Sequence, residues 1–166
     1  MVNPAELRTR CEARLAGLDI PDPFDLTTFC AHVASRRCRP IVLLPTELPA
    51  DSTSGLWIRG ARRDYIVYES ATTPLHRTHI ALHEIGHVLC GHESATPHDE
   101  HLDRLFPTLD PGLVRRALRR ARYSSDEEAE AEMLASLILQ RTFVSAPARS
   151  VGPSAAQVLR RLESSL

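Results

Sequence analysis

The residues of this chain best suited to chemistry are two histidines and a glutamate in the segment His83-Glu84-Ile85-Gly86-His87. On an α-helix, side chains four residues apart lie about 40° apart around the axis, so both imidazoles can reach one ion while Glu84 projects beside them. Zinc binds neutral imidazole nitrogens, and a catalytic zinc site keeps one position open for water. A neighbouring carboxylate can accept a proton from that water. The spacing therefore predicts His83 and His87 as zinc ligands and Glu84 as the general base.

A third protein ligand must come from another part of the chain. An elongated motif of the metzincin type needs Gly at position 90 and His at position 93, where this chain has Cys90 and Glu93, so that class of site is excluded. His92 lies about 140° around the helix from His87, and only a turn at Gly91 could bring it back. His92 is therefore the weaker candidate.

The preferred candidate lies on a later helix, predicted from Ser125 to Thr142. Glu130 falls within about 60° of the apolar stripe of that helix, whereas Glu128 and Glu132 are predicted to face solvent. Burying a carboxylate without a partner costs several kcal/mol, and a metal ion would supply that partner. We therefore expect Glu130 to be the third ligand. The stripe consists of Met133, Leu134, Leu137 and Ile138.

Capping residues and apolar periodicity predict the elements that position these residues. The pattern is that of an α+β fold, mostly helical, with a short sheet of about three strands that includes a β-hairpin. We expect the sheet to pack against the motif helix and the glutamate helix. One domain is predicted over residues 1–144, followed by a linker and an amphipathic helix over 145–166. The predicted strands are Ile41–Leu44, Leu56–Arg59 and Tyr65–Glu69, and the motif helix begins at Thr73 and ends at Gly91.

Composition narrows the classes of partner. A net charge of −1 gives no overall attraction to nucleic acid or to an anionic membrane, so direct nucleic-acid binding is not expected. No apolar run approaches the roughly 20 residues of a membrane span, and the N-terminus lacks the apolar core of a signal peptide, so we expect a cytoplasmic protein. The four cysteines form no C-x-x-C pair, so neither a disulfide framework nor a cysteine zinc site is indicated.

Together these segments resemble the ImmA/IrrE family of bacterial metallopeptidases, which are similar to thermolysin in having a distant glutamate ligand. The segment from Glu128 to Ala135 is similar to the family pattern E-x-E-A-x-x-[FL]-A, in which the glutamate just before the alanine, here Glu130, binds zinc. The resemblance implies a small zincin-like domain, with zinc as cofactor. The other matching segments are Phe24–Val33, Pro40–Leu44, Gly55–Ile58, Asp64–Tyr68 and His79–His87.

By the same resemblance, we expect a metallo-endopeptidase that cleaves a helix-turn-helix transcriptional regulator in a stress-response, mobile-element or toxin-antitoxin context. The alternative is a non-catalytic zinc-binding regulatory protein or toxin component that acts by binding its partner. Glu84 discriminates between the two, because only hydrolysis requires a general base.

Two departures from the pattern bear on the site. Family members often have Asn where this chain has Glu132, and the aspartate that follows the thermolysin glutamate by four residues corresponds to Leu134. Another carboxylate or a backbone carbonyl must therefore orient the zinc-bound histidine. Candidates for contacts around the metal or the transition state are Tyr123, His92 and His79. A basic face at Arg115–Arg122 is expected to be a solvated surface.

Overall fold

The computed structural model describes residues 3–48, 50, 53–93 and 123–145, which form four helices and a three-stranded sheet. The described chain is thus α+β and mostly helical, as the sequence predicts. The predicted C-terminal helix and the basic face at Arg115–Arg122 lie outside the described residues. In chain order the elements are α1 (Pro4–Leu15), α2 (Leu26–Arg37), β1 (Ile41–Thr46), β2 (Gly55–Arg59), β3 (Asp64–Glu69), α3 (Pro74–Cys90) and α4 (Ser125–Ser145).

Side-chain caps define where the two N-terminal helices begin. The Asn3 side chain accepts a hydrogen bond from the backbone N–H of Ala5 at 3.0 Å, and the Asp25 carboxylate accepts one from the N–H of Thr28 at 2.7 Å. Each cap satisfies an N–H group that has no partner within the helix. α2 ends at Cys38, which adopts the left-handed conformation with φ 51°. The start of α1 agrees with the sequence signal Asn3-Pro4, whereas the signal Asp22-Pro23-Asp25 predicts that α2 begins at Asp22, three residues before the observed cap.

The sheet has the order β1-β3-β2, with β1 parallel and β2 antiparallel to β3. The predicted hairpin is therefore β2–β3. The Glu69 N–H donates to the Ser54 carbonyl, and the Gly60 N–H donates to the Arg63 carbonyl. Hydrogen-bonded positions alternate along an antiparallel strand, so in this register the backbone groups of Ser54 and Leu56 point toward β3 and those of Gly55, between them, point away from it. This face of β2 is the edge beside α3.

The contact between α3 and α4 is close enough to require glycine. A Cβ atom on Gly86 would lie 2.9 Å from the backbone oxygen of Ala131 and 3.0 Å from its Cα. Leu82 and Ile85 on α3 and Leu134 on α4 are completely buried in the core beside this contact. α1 packs against the other side of α4. The two helices that carry the site are therefore held backbone to backbone.

A buried carboxylate ties α2 to the sheet. Asp64, at the start of β3, has no exposed surface and accepts hydrogen bonds from Arg37 at 2.7 Å and Arg39 at 2.8 Å. Such a charge is tolerated in the interior because both of its oxygens are paired with guanidinium groups. In the described part of the chain, no helix is both long and apolar enough to cross a membrane.

Candidate metal centre

The two histidines of the motif meet on one face of α3, as their spacing predicts. Thr73 caps the helix, Pro74 occupies its first turn, and Gly91 ends it in the left-handed conformation with φ 71°. The Nε2 atoms of His83 and His87 lie 3.1 Å apart. The side chain of His87 is completely buried and that of His83 is 21% exposed, so the pair lies at the floor of a cleft.

The carboxylate beside this pair belongs to Glu128, and the predicted placement of Glu130 is wrong. The Oε2 atom of Glu128 lies 3.1 Å from His83 Nε2 and 4.0 Å from His87 Nε2. Glu130 is not part of this group of donor atoms and instead accepts from His92 Nε2 at 3.2 Å. Its other oxygen lies 3.5 Å from Arg14 on α1.

The error has a physical cause. Helical periodicity shows that a residue of α4 is buried but not which helix buries it. α4 packs against both α3 and α1. Glu130 lies on the side toward α1, whereas Glu128, with 47% of its side chain exposed, lies where α3 and α4 meet the cleft. The capping box between Ser124 and Glu127 sets the start of this helix and hence the direction of Glu128.

The three donor atoms have the right spacing for a small divalent cation. Their separations of 3.1, 3.1 and 4.0 Å define a triangle whose corners all lie about 2.0 Å from one point. Zinc binds imidazole nitrogen at about 2.0–2.1 Å and carboxylate oxygen at about 2.0–2.2 Å. Two imidazoles and one carboxylate also match the ligand set of a catalytic zinc site. The residues His83, His87 and Glu128 therefore fit zinc.

Each imidazole is oriented through its other nitrogen. His83 Nδ1 lies 3.3 Å from Glu132 Oε2, an atom that also lies 3.2 Å from His79 Nε2. His87 Nδ1 lies 2.9 Å from His92 Nδ1. With Glu130 as the ligand, the orienting carboxylate expected four residues later fell on Leu134. With Glu128 as the ligand, the residue four positions later is Glu132, which is a carboxylate. The Glu132 side chain is 53% exposed, as the sequence predicts, but it also contacts His79 and His83 at the rim of the cleft.

The environment of His87 keeps its ring uncharged. Burial, followed by the nearby charges of His83 and His92, lowers the pKa of His87 to about 3. The Tyr123 ring stacks on it, with ring centroids 3.6 Å apart and 15° between the planes. Of the three residues predicted around the site, His92 and Tyr123 contact His87, and His79 contacts Glu132. A neutral imidazole is the form that binds a metal.

Glu84 lies beside this group in a nearly closed environment. It is 6% exposed, and its Oε2 atom has no hydrogen-bond partner among the described residues. Burial, with a further contribution from the charge of Glu128, raises the pKa of Glu84 to about 8, while a hydrogen bond from the backbone N–H of Trp57 opposes this shift. A carboxyl oxygen buried without a partner is costly, so this environment favours the protonated form of Glu84 or a water molecule bound beside it.

Sequence reasoning missed the role of Gly55. A Cβ atom at this position of β2 would lie 2.7 Å from Glu84 Oε1 and 2.8 Å from Cγ2 of Ile80. The glycine therefore lets the edge strand approach the glutamate side chain closely. The cleft has a volume of about 300 Å³ and is bounded by residues 53–56, by one face of α3 from His76 to His87, by Tyr123, and by Glu128 and Glu132 of α4. No sequence signal identifies this approach, because it depends on how β2 lies against α3.

Comparison of the chain with models of known protein families, with curated proteins and with solved structures finds no match. The resemblance to the ImmA/IrrE family therefore stays a prediction from the motifs. The case for a function rests on the donor atoms, the buried glutamate and the edge strand that meet in this cleft.

Proposed function

We propose that this protein is a zinc-dependent metallo-endopeptidase with a zincin-like domain. The observation that carries the proposal is the convergence of His83, His87 and Glu128 at separations that suit zinc, with the buried Glu84 in the same cleft. Glu128 replaces Glu130 in the ligand set, and the spacing from Glu128 to Glu132 then corresponds to the thermolysin glutamate and the aspartate four residues after it.

The chain's own residues supply the proton transfer. When bound, zinc would act as a Lewis acid that polarises the scissile carbonyl group and makes water more acidic. Glu84 removes a proton from the attacking water as its oxygen bonds to the carbonyl carbon. The same proton then passes from Glu84 to the amide nitrogen as the C–N bond breaks. Glu84 must therefore be ionised when the water attacks and protonated when the amine leaves, so one carboxyl group serves as base and then as acid.

The edge of the sheet favours an extended peptide as substrate. The backbone groups of Gly55 point away from β3 and toward the cleft side, and a peptide can add to such an edge by main-chain hydrogen bonds. The Gly55 carbonyl already accepts a hydrogen bond from the Thr53 hydroxyl at 3.0 Å, so a peptide would use the second lone pair of this oxygen or displace that hydroxyl. The proposed substrate is a helix-turn-helix transcriptional regulator, which must expose an extended segment to be cleaved.

The test combines metal analysis with cleavage. The wild type, dialysed against zinc and then against buffer, is expected to retain one zinc per chain, and Glu128→Gln to lose it. Glu84→Gln should keep the metal but should cleave, at least about 100-fold more slowly, a helix-turn-helix regulator that the wild type cleaves, because the general base is absent. Glu12→Gln, an exposed glutamate paired with Arg8, is the control for loss of one charge.

Three results would contradict the proposal. A wild type that retains no zinc would exclude the metal centre. Zinc binding together with equal cleavage by the wild type and Glu84→Gln would exclude the catalytic role of that glutamate. Zinc binding without any cleavage of regulators or unstructured peptides would favour the non-catalytic partner-binding protein instead.

A further inference from the structure

A chain of hydrogen bonds runs from His87 to the side of α4 that faces α1. His87 Nδ1 lies 2.9 Å from His92 Nδ1, and His92 Nε2 lies 3.2 Å from Glu130 Oε2. The side chains of His92 and Glu130 are 7% and 12% exposed. The other oxygen of Glu130 lies 3.5 Å from Arg14 and 3.8 Å from Arg10. The carboxylate is therefore held on both of its oxygens.

This arrangement determines where the protons of both imidazoles lie. A neutral imidazole carries one N–H and a carboxylate can only accept, so with His92 neutral its proton lies on Nε2 and is directed at Glu130. The Nδ1 atom of His92 is then an acceptor, and His87 must carry its own proton on Nδ1. The Nε2 lone pair of His87 consequently points toward His83 and Glu128, where a metal ligand needs it.

We infer that His92 and Glu130 are positioning residues that fix the tautomer and the ring orientation of His87. We call the hydrogen-bonded series His87, His92 and Glu130 the relay. Its importance for metal binding rests on the proposed function, whereas the tautomer of His87 in the metal-free protein does not depend on that function. Gly91 makes the relay geometrically accessible, because its left-handed turn with φ 71° reverses the chain after α3 and returns His92 to His87. Glu130 thus serves the metal site through another residue and does not bind the ion.

A competing interpretation is a second metal site at Cys90, His92 and Glu130, whose donor atoms lie within 4.8 Å of one another. One observation argues against it. Arg14 and Arg10 flank the carboxylate and repel a cation. The relay is therefore the better account of this cluster.

The matched variants are His92→Asn and His92→Phe. The side-chain oxygen of asparagine can stand near the position of Nδ1 and accept from His87, whereas phenylalanine keeps the ring but offers no acceptor. Zinc affinity, measured by competition with a chelator, should fall about 10- to 100-fold in His92→Phe and within about threefold in His92→Asn. Glu130→Gln, which keeps an acceptor but loses the charge, should lie between them. Glu12→Gln is the control on α1.

Nitrogen-15 NMR of the histidines in the metal-free protein tests the relay without zinc. We expect His87 to carry its proton on Nδ1 in the wild type, and to become a mixture of tautomers in His92→Phe. A wild-type His87 protonated on Nε2, or equal zinc affinities for the Asn and Phe variants, would overturn the inference. Two zinc ions per chain, with one lost in Cys90→Ser, would overturn it in favour of the second site. If the wild type binds no zinc at all, the proposed function fails. The tautomer of His87 measured by NMR in the metal-free protein still tests whether His92 and Glu130 fix it.

Discussion

Glu84 gives the metal-free protein a stability that depends on pH, and Glu84→Gln should remove this dependence. Burial raises the pKa of this carboxyl from 4.5 to about 8, so the folded state binds the proton more tightly than the unfolded state. The resulting stabilisation is fully present below pH 4.5 and is lost as the pH rises toward 8. At about 1.4 kcal/mol per pKa unit, the wild type should lose about 3–4 kcal/mol relative to Glu84→Gln between pH 5 and pH 8.

His87 makes the stability of the protein depend on pH with the opposite sign, so its contribution must be separated from that of Glu84. Its pKa is lowered from 6.5 to about 3, so its contribution is present above pH 6.5 and is lost as the pH falls toward 3. Because both proteins retain His87, the difference between their unfolding free energies isolates Glu84. The assay is urea unfolding of the wild type and Glu84→Gln at pH 5, 6, 7 and 8 with a chelator present. If the difference in unfolding free energy between the two proteins does not change with pH, the raised pKa of the buried Glu84 carboxyl is refuted.

Three further substitutions test the packing around the site. Gly86→Ala should cost about 1–3 kcal/mol in urea unfolding and weaken zinc binding, because the new Cβ would meet the backbone of Ala131 at 2.9 Å; an unchanged midpoint would contradict that contact. Asp64→Ala should destabilise by about 3 kcal/mol, since it leaves two half-buried guanidinium groups without their carboxylate, and thermal unfolding would measure the loss. Gly55→Ala should retain zinc but slow cleavage of the regulator by about 100-fold, because its Cβ displaces Glu84; equal rates would show that the approach is not needed.

The sequence carries most of the information about α3 and less about α4. The spacing of His83 and His87 needs only the geometry of one helix, so it predicts their meeting correctly. The side of α4 that faces α3 is different, because helical periodicity shows which residues are buried but not which neighbour buries them. Glu130 is buried against α1, which is more than 100 positions away in the chain. Periodicity alone could not separate that neighbour from α3.

Two signals in the sequence could have improved the prediction of the site. Glu128 and Glu132 are one helical turn apart, as are His83 and His79, which allows two carboxylates to face two imidazoles across a helix pair. The glycine at position 91 also permits the reversal that brings His92 back. The approach of Gly55 to Glu84 could not have been foreseen, since it depends on the position of an edge strand against a helix.

The close contact between α3 and α4 also bears on which ions the centre would accept. Gly86 lies three residues after His83, and Ala131 lies three residues after Glu128, so the tightest backbone contact falls one turn from the donor atoms. Main-chain atoms thus fix how closely the two helices approach, whereas the half-exposed side chain of Glu128 can still rotate. If the proposed centre binds zinc, exchange for calcium, with ligand distances of about 2.3–2.6 Å, would have to be met by rotation of side chains such as Glu128, because a change in helix spacing would disturb the buried contact between Gly86 and Ala131.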